Sequence, residues 1–129
     1  MLDDLATGYG LHATDQLAVR LDGPTTTTAA AAMRHLRGTP PTELGGRRVE
    51  SIDDLLEGSE DLPPTDALRY RIAGAARVIV RPSGTEPKLK CYLEVVQPVV
   101  GGDVTSARRT AASALLAIRA DLPAAVGIR

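Results

Sequence analysis

Apolar and polar residues alternate at three places along the chain, and each alternation predicts a half-buried strand. Leu17, Val19 and Leu21 oppose Ala18, Arg20 and Asp22. Leu68, Tyr70 and Ile72 oppose Arg69 and Arg71. Leu89, Cys91, Leu93 and Val95 oppose Lys88, Lys90, Tyr92 and Glu94. Between the last two lies a short apolar run, Val78-Ile79-Val80, flanked by Arg77 and Arg81, and a further short strand is expected after the Gly45-Gly46 turn, towards Ile52. The strands from Leu68 onward are joined by short connections, which predicts an antiparallel meander.

The period changes to that of a helix in two places. Ala29, Ala32, Met33 and Leu36 share one face of a helix that Gly23-Pro24 opens, Asp22 or Gly23 caps, and Gly38 with Pro40-Pro41 ends. Val104, Ala107, Ala111, Leu115, Ile118 and Leu122 share one face of a second helix, capped by Asp103 or Thr105 and stopped by Pro123, with Arg108 and Arg109 on its solvated side. The acidic stretch from Asp53 to Asp61, with Pro63-Pro64, reads as an exposed connection. The order strand, helix, several strands, helix predicts an α+β fold, an antiparallel sheet with two main helices packed on one face.

Composition narrows the function classes. The 129 residues suit one domain, and with neither Phe nor Trp present the core must be built from aliphatic side chains. No apolar run approaches the roughly 20 residues of a membrane helix. The start, Met1-Leu2-Asp3-Asp4-Leu5, is acidic where a secretory signal is basic, and the single Cys fits a reducing cytoplasm, where the protein is expected to act. The net charge of −1 conceals an asymmetry: from Ala67 to Tyr92, Arg69, Arg71, Arg77, Arg81, Lys88 and Lys90 face Glu86 alone, a local charge of +5, and the remainder carries −6. A local basic field in a mildly acidic chain points to a small anion, not a polyanion, as partner. The same cations also suit the solvated face of a sheet.

The candidate chemistry concentrates in Arg81-Pro82-Ser83-Gly84-Thr85-Glu86-Pro87-Lys88. A guanidinium launched from a strand end makes paired, charge-assisted bonds to phosphate or carboxylate. Ser83 and Thr85 add hydroxyl donors, Gly84 between them permits positive φ and close approach, and successive amides can form an anion nest. Pro82 and Pro87 stiffen both sides. A general base is missing: Glu86 would repel a bound dianion and is expected to turn away, held by an amide or an Arg. Neither His12 nor His35 has a reason to lie near Ser83, so Ser83 is not read as a nucleophile. The same residue types also build a plain tight hairpin.

The run from Val78 to Lys90 resembles the phosphate-binding loop of the α-D-phosphohexomutases, the phosphoglucomutase and phosphomannomutase superfamily. The Tyr9-Gly10-Leu11-His12 entry and the Ala-rich final helix are similar to the fourth, carboxy-terminal domain of that family. The resemblance implies a TATA-box-binding-protein-like arrangement over residues 11–122, preceded by a linker or hinge over 1–10 and followed by a tail over 123–129. It implies that Arg81, Ser83, Gly84 and Thr85 hold the phosphate of a hexose phosphate while the opposite end of the sugar reacts elsewhere. Glu86 and Lys88 support them, Lys88 by long-range charge; His12 and Tyr9 take packing or hinge roles. The family's Ser-His-Asn-Pro phosphoserine loop, its aspartate-rich metal loop and its Gly-Glu-His sugar loop are all absent from the sequence. Asp3-Asp4 and Asp53-Asp54 read as solvated pairs, not replacements for the metal loop. The chain is therefore expected to be a detached fourth domain that does not isomerise sugars by itself. It should carry no cofactor; Mg2+ and a bisphosphorylated sugar activator belong to the parent enzyme. Its expected partners are a phosphosugar and the other three domains, with no nucleic acid or membrane. A free-standing anion- or partner-binding module is the alternative, and a nucleic-acid binder using the basic sheet face is a further one.

Overall fold

The computed structural model describes residues 10–22, 28–58, 64–84 and 86–127. The meander is present and extended at both ends. Strands β1 (Leu11–Arg20), β2 (Glu43–Leu44), β3 (Arg47–Asp54), β4 (Leu68–Ile72), β5 (Ala76–Pro82) and β6 (Lys88–Gln97) form one sheet in the order β1-β6-β5-β4-β3-β2. Every neighbouring pair is antiparallel. β1 spans all ten residues from Leu11, twice the expected length, because it pairs along its whole length with β6, from Leu11 opposite Gln97 to Arg20 opposite Lys88. The chain thus returns in β6 to the strand it began with, leaving β1 and β2 as the two edges.

Two helices, α1 (Ala29–Gly38) and α2 (Val104–Val126), pack on one face of this sheet, as the α+β reading requires. Ala32, Met33 and Leu36 of α1 and Ala111, Leu115, Ile118 and Leu122 of α2 meet Val78, Val80, Leu89, Cys91, Leu93 and Val95. Tyr70 is the one aromatic side chain among the core residues, and its hydroxyl is buried with no hydrogen-bond partner among the described residues. Desolvation there pushes its ionisation well above the ordinary tyrosine range. Among the described residues no helix is long and apolar enough to cross a membrane.

The start of α1 and the end of α2 differ from expectation for local reasons. The cap of α1 is Thr28, not Asp22 or Gly23: its hydroxyl accepts from the amide of Ala31 at 3.1 Å. Threonine is β-branched and a good cap, so the helix starts after the last threonine of the run. Asp22 instead binds the Arg20 guanidinium at 3.0 Å, and Gly23-Pro24 lies outside the described residues. Asp103 caps α2, accepting from Ser106 at 2.9 Å. Pro123 does not stop the helix, which runs to Val126 and ends on Gly127 in the left-handed region (φ 97). In the last turn a proline forfeits one backbone bond, and burial of Leu122 and Val126 carries the helix past it.

The acidic pair Asp53-Asp54 is not merely solvated. A bulge in β3 between Val49 and Ser51 shifts the register. Asp53 then meets Arg69 (2.9 Å) and Arg71 (3.4 Å) on the face away from the helices. Asp54 turns to the helix side, where Arg37 of α1 binds both Asp54 (3.0 Å) and Asp66 (2.7 Å). That hub ties α1 to the end of β3 and to the lead-in of β4.

Two outcomes follow for stability. The Arg37 contact, aided by the Leu56 amide, holds the Asp54 carboxyl below its ordinary range against an opposing desolvation effect. A depressed folded value contributes stability at neutral pH that is lost as pH falls below about 4, through the folded pKa. Acid unfolding of Asp54→Asn should therefore show a shallower loss over that range, with a neutral-pH cost of about 1 kcal/mol or less for so exposed a pair. At the β2–β3 turn, Gly45 and Gly46 both have positive φ (62 and 74), but a Cβ on Gly45 would stand 2.8 Å from the Ile118 backbone nitrogen, whereas one on Gly46 meets nothing within 4 Å. Urea unfolding should show Gly46→Ala costing about 1 kcal/mol and Gly45→Ala at least about 1 kcal/mol more; equal losses would mean the turn does not press on α2.

Candidate functional site

The hairpin between β5 and β6 carries the candidate loop. Its closure uses backbone groups: the amide of Ser83 donates to the carbonyl of Lys88 at 2.9 Å, and that of Lys88 to the carbonyl of Glu86 at 2.8 Å. The amide of Leu21 donates to the carbonyl of Pro87 at 2.8 Å, anchoring the loop to the end of β1. Two expectations need correction here. The Ser83 amide is not free for an anion nest, because the hairpin consumes it. Gly84 does not adopt positive φ. It stands in open space, where an added Cβ would meet nothing within 4 Å, and its amide donates to no described residue. The glycine is not required by the turn; it leaves the approach to the backbone clear. Thr85 lies outside the described residues.

Arg81 sits near the end of β5 on the open face, opposite Lys90 of β6. Its Nη2 donates to the Tyr92 hydroxyl at 3.1 Å, and the guanidinium carbon stands 5.4 Å from the centre of the Tyr92 ring. Glu86 does turn to a cation, but to Lys88 (3.3 Å), not to an amide or an Arg. Lys88 therefore spends its charge on its neighbour. His12 does not pack: its side chain is 59% exposed on the open face, with Nδ1 3.8 Å from Glu94. Tyr9 lies outside the described residues.

The basic field largely cancels itself. Asp53 answers Arg69 and Arg71, and Glu94 answers Arg77 at 3.2 Å. Beside the loop, Asp22 answers Arg20 and is held below its ordinary range by it. Arg81 and Lys90 remain, and neither has a carboxylate partner among the described residues. Like charges directly opposite on neighbouring strands repel, so this pair costs stability unless an anion lies between them. Sequence reasoning singled out Lys88 and not Lys90, because nearness in sequence favoured Lys88. The hairpin register is the signal that selects Lys90, since it pairs with Arg81 across the ladder.

Two shallow hollows on the open face border Tyr92. One of about 590 Å³ is lined by Thr14, Gln16, Arg77, Ile79, Tyr92 and Glu94. A neighbouring one of about 330 Å³ is lined by Gln16, Ala18, Lys88, Lys90 and Tyr92. Neither of these two hollows includes Ser83 or Gly84. Among the described residues, no three His, Cys, Asp or Glu side chains gather as they would around a metal ion. The loop and its cations can grip an anion. They offer no base placed for proton transfer.

Comparison with known proteins identifies the family. Residues 17–104 match the family described as "Phosphoglucomutase/phosphomannomutase, C-terminal domain". A "Probable phosphomannomutase" of Haemophilus influenzae is 30% identical over 92 residues, covering 71% of this chain and 18% of that protein. "Phosphoglucomutase" of Staphylococcus aureus is 32% identical over 77 residues in strain MRSA252, covering 51% of this chain and 14% of that protein. The chain spans less than a fifth of these relatives. The family match runs from the last four residues of β1 through the loop and β6, and covers well over half of the sequence. The chain belongs to the phosphoglucomutase/phosphomannomutase C-terminal domain family.

Proposed function

We propose that this chain is the substrate-phosphate grip of a phosphohexomutase that interconverts hexose 1-phosphate and hexose 6-phosphate, and that alone it binds but does not catalyse. The observation that carries the reading is the pair Arg81 and Lys90, held side by side without a carboxylate, next to Ser83 and the open backbone of Gly84. A phosphate dianion answers both charges and accepts from the Ser83 hydroxyl and the Gly84 amide. Thr85 belongs to the same grip by its place in the motif. The names of the relatives supply the phosphosugar and the isomerase reaction; the parent's remaining domains, its Mg2+ and its sugar bisphosphate activator belong to the same reading. The chain's contribution is positioning, which by itself can lower a barrier substantially once the reacting groups stand nearby.

Cys91 fits a cytoplasmic setting. It is buried, and desolvation pushes its thiol up to about 12, so it stays neutral and unreactive. A nucleic-acid interface is the weaker reading, because Arg69, Arg71 and Arg77 are already paired with carboxylates. A free-standing anion module shares the same loop; it would bind inorganic phosphate as well as hexose phosphates, with no preference for the sugar.

Titration with glucose 1,6-bisphosphate, followed by amide shifts, should show weak binding, roughly millimolar, since an exposed loop encloses little of the ligand. The shifts should centre on residues 81–90. Arg81→Ala should weaken that binding at least about tenfold; unchanged affinity would refute the assignment. Gly84→Ala separates fold from site. Its unfolding free energy should stay level or rise by up to about 1 kcal/mol, while binding falls several-fold because the new methyl group stands where the anion approaches.

A further inference from the structure

We propose that Tyr92 is a positioning residue that holds the Arg81 guanidinium ready for the anion; the inference rests on the phosphate-grip reading. Arg81 is exposed at the end of a strand, and a long side chain there samples many rotamers unless something fixes it. The ladder places Ile79 opposite Tyr92 and Arg81 opposite Lys90, so Tyr92 is the diagonal neighbour of Arg81 on the same face. Two contacts of different kinds converge there. The Tyr92 hydroxyl accepts from Nη2 at 3.1 Å, and the ring lies 5.4 Å from the guanidinium carbon. Lys90 repels Arg81 from one side while the negative ring face and phenol oxygen attract it from the other. The guanidinium therefore leans along the sheet toward Tyr92. The hydroxyl engages one N–H, and the remainder of the fork stays open for paired bonds to phosphate oxygens.

Tyr92 is not read as a ligand-contacting group. Its ring pairs with Ile79, and its hydroxyl is used on Arg81. What it supplies is preorganisation: rotamer entropy lost before binding is not lost again during it. Tyr92→Phe keeps the ring and the Ile79 contact and removes only the hydroxyl, so the fold is preserved and the hydrogen-bonded share of the effect is isolated.

The test is a double-mutant cycle on the chain with inorganic phosphate as probe, using Arg81→Ala, Tyr92→Phe and the double variant. Tyr92→Phe should weaken phosphate binding about three- to tenfold. The double variant should bind no more weakly than Arg81→Ala alone, because Tyr92 acts only through Arg81. In the absence of phosphate, the Arg81 Nε–H resonance should report a less ordered side chain in Tyr92→Phe, a change that a merely structural tyrosine would not cause. Wild-type affinity in Tyr92→Phe, a full additive loss in the double variant, or an unchanged Arg81 order parameter would each overturn the positioning role while leaving the grip intact. Unchanged phosphate affinity in Arg81→Ala would overturn the grip itself, and the role of Tyr92 with it.

Discussion

The antiparallel register between β5 and β6 sets Val80 against Cys91 and Arg81 against Lys90. Side chains alternate with a period of two, so a slip of one residue would turn Leu89, Cys91, Leu93 and Val95 out of the core and Lys90, Tyr92 and Glu94 into it. The core therefore fixes the register, and the register fixes the site. Four buried aliphatic or thiol side chains on one face of β6 specify which cation stands beside Arg81 on the other. β1 reinforces the arrangement by pairing with β6 over ten positions and by reaching past Arg20 to bind the carbonyl of Pro87.

Charge on the open face follows from that same pairing. Two acids there are placed by cross-strand partners: Asp53 beside Arg69 through the β3 bulge, Glu94 opposite Arg77. Pairing of this kind offsets desolvation and limits repulsion, and it withdraws those arginines from any ligand. Where the ladder ends at the loop, no acid among the described residues pairs with Arg81 or Lys90. A repulsive pair is tolerable at a sheet end, where solvent screens it, and it becomes favourable when an anion arrives. Glu86 is accommodated close by because Lys88 holds it.

Much of the fold was legible in periodicity. The alternations in β4 and β6 and the helical spacing in α2 survive almost residue for residue, since burial of one face is what both patterns encode. The helix ends were less legible. Thr28 competes with Asp22 as a cap on chemistry alone, and only the chain path decides which amide lies in reach. Pro123 signals a stop locally, but Val126 reaches the core and overrides it. In the site, Arg81 and the loop were evident from composition, whereas the role of Gly84 was misread. The sequence shows that a glycine is permitted to take positive φ; it does not show whether the turn asks for it.

By itself the sequence determined the α+β layering, the meander, the core residues of β6 and α2, and the loop that marks the family, because each rests on local patterns or on a contiguous motif. Tertiary structure decided everything that depends on neighbours distant in sequence. It placed β1 beside β6, joined Asp54 and Asp66 to Arg37, silenced three of the arginines, and set Lys90 and Tyr92 around Arg81. The physical reason is that pairing across strands is a property of register and packing, and neither is written in any single stretch of the chain.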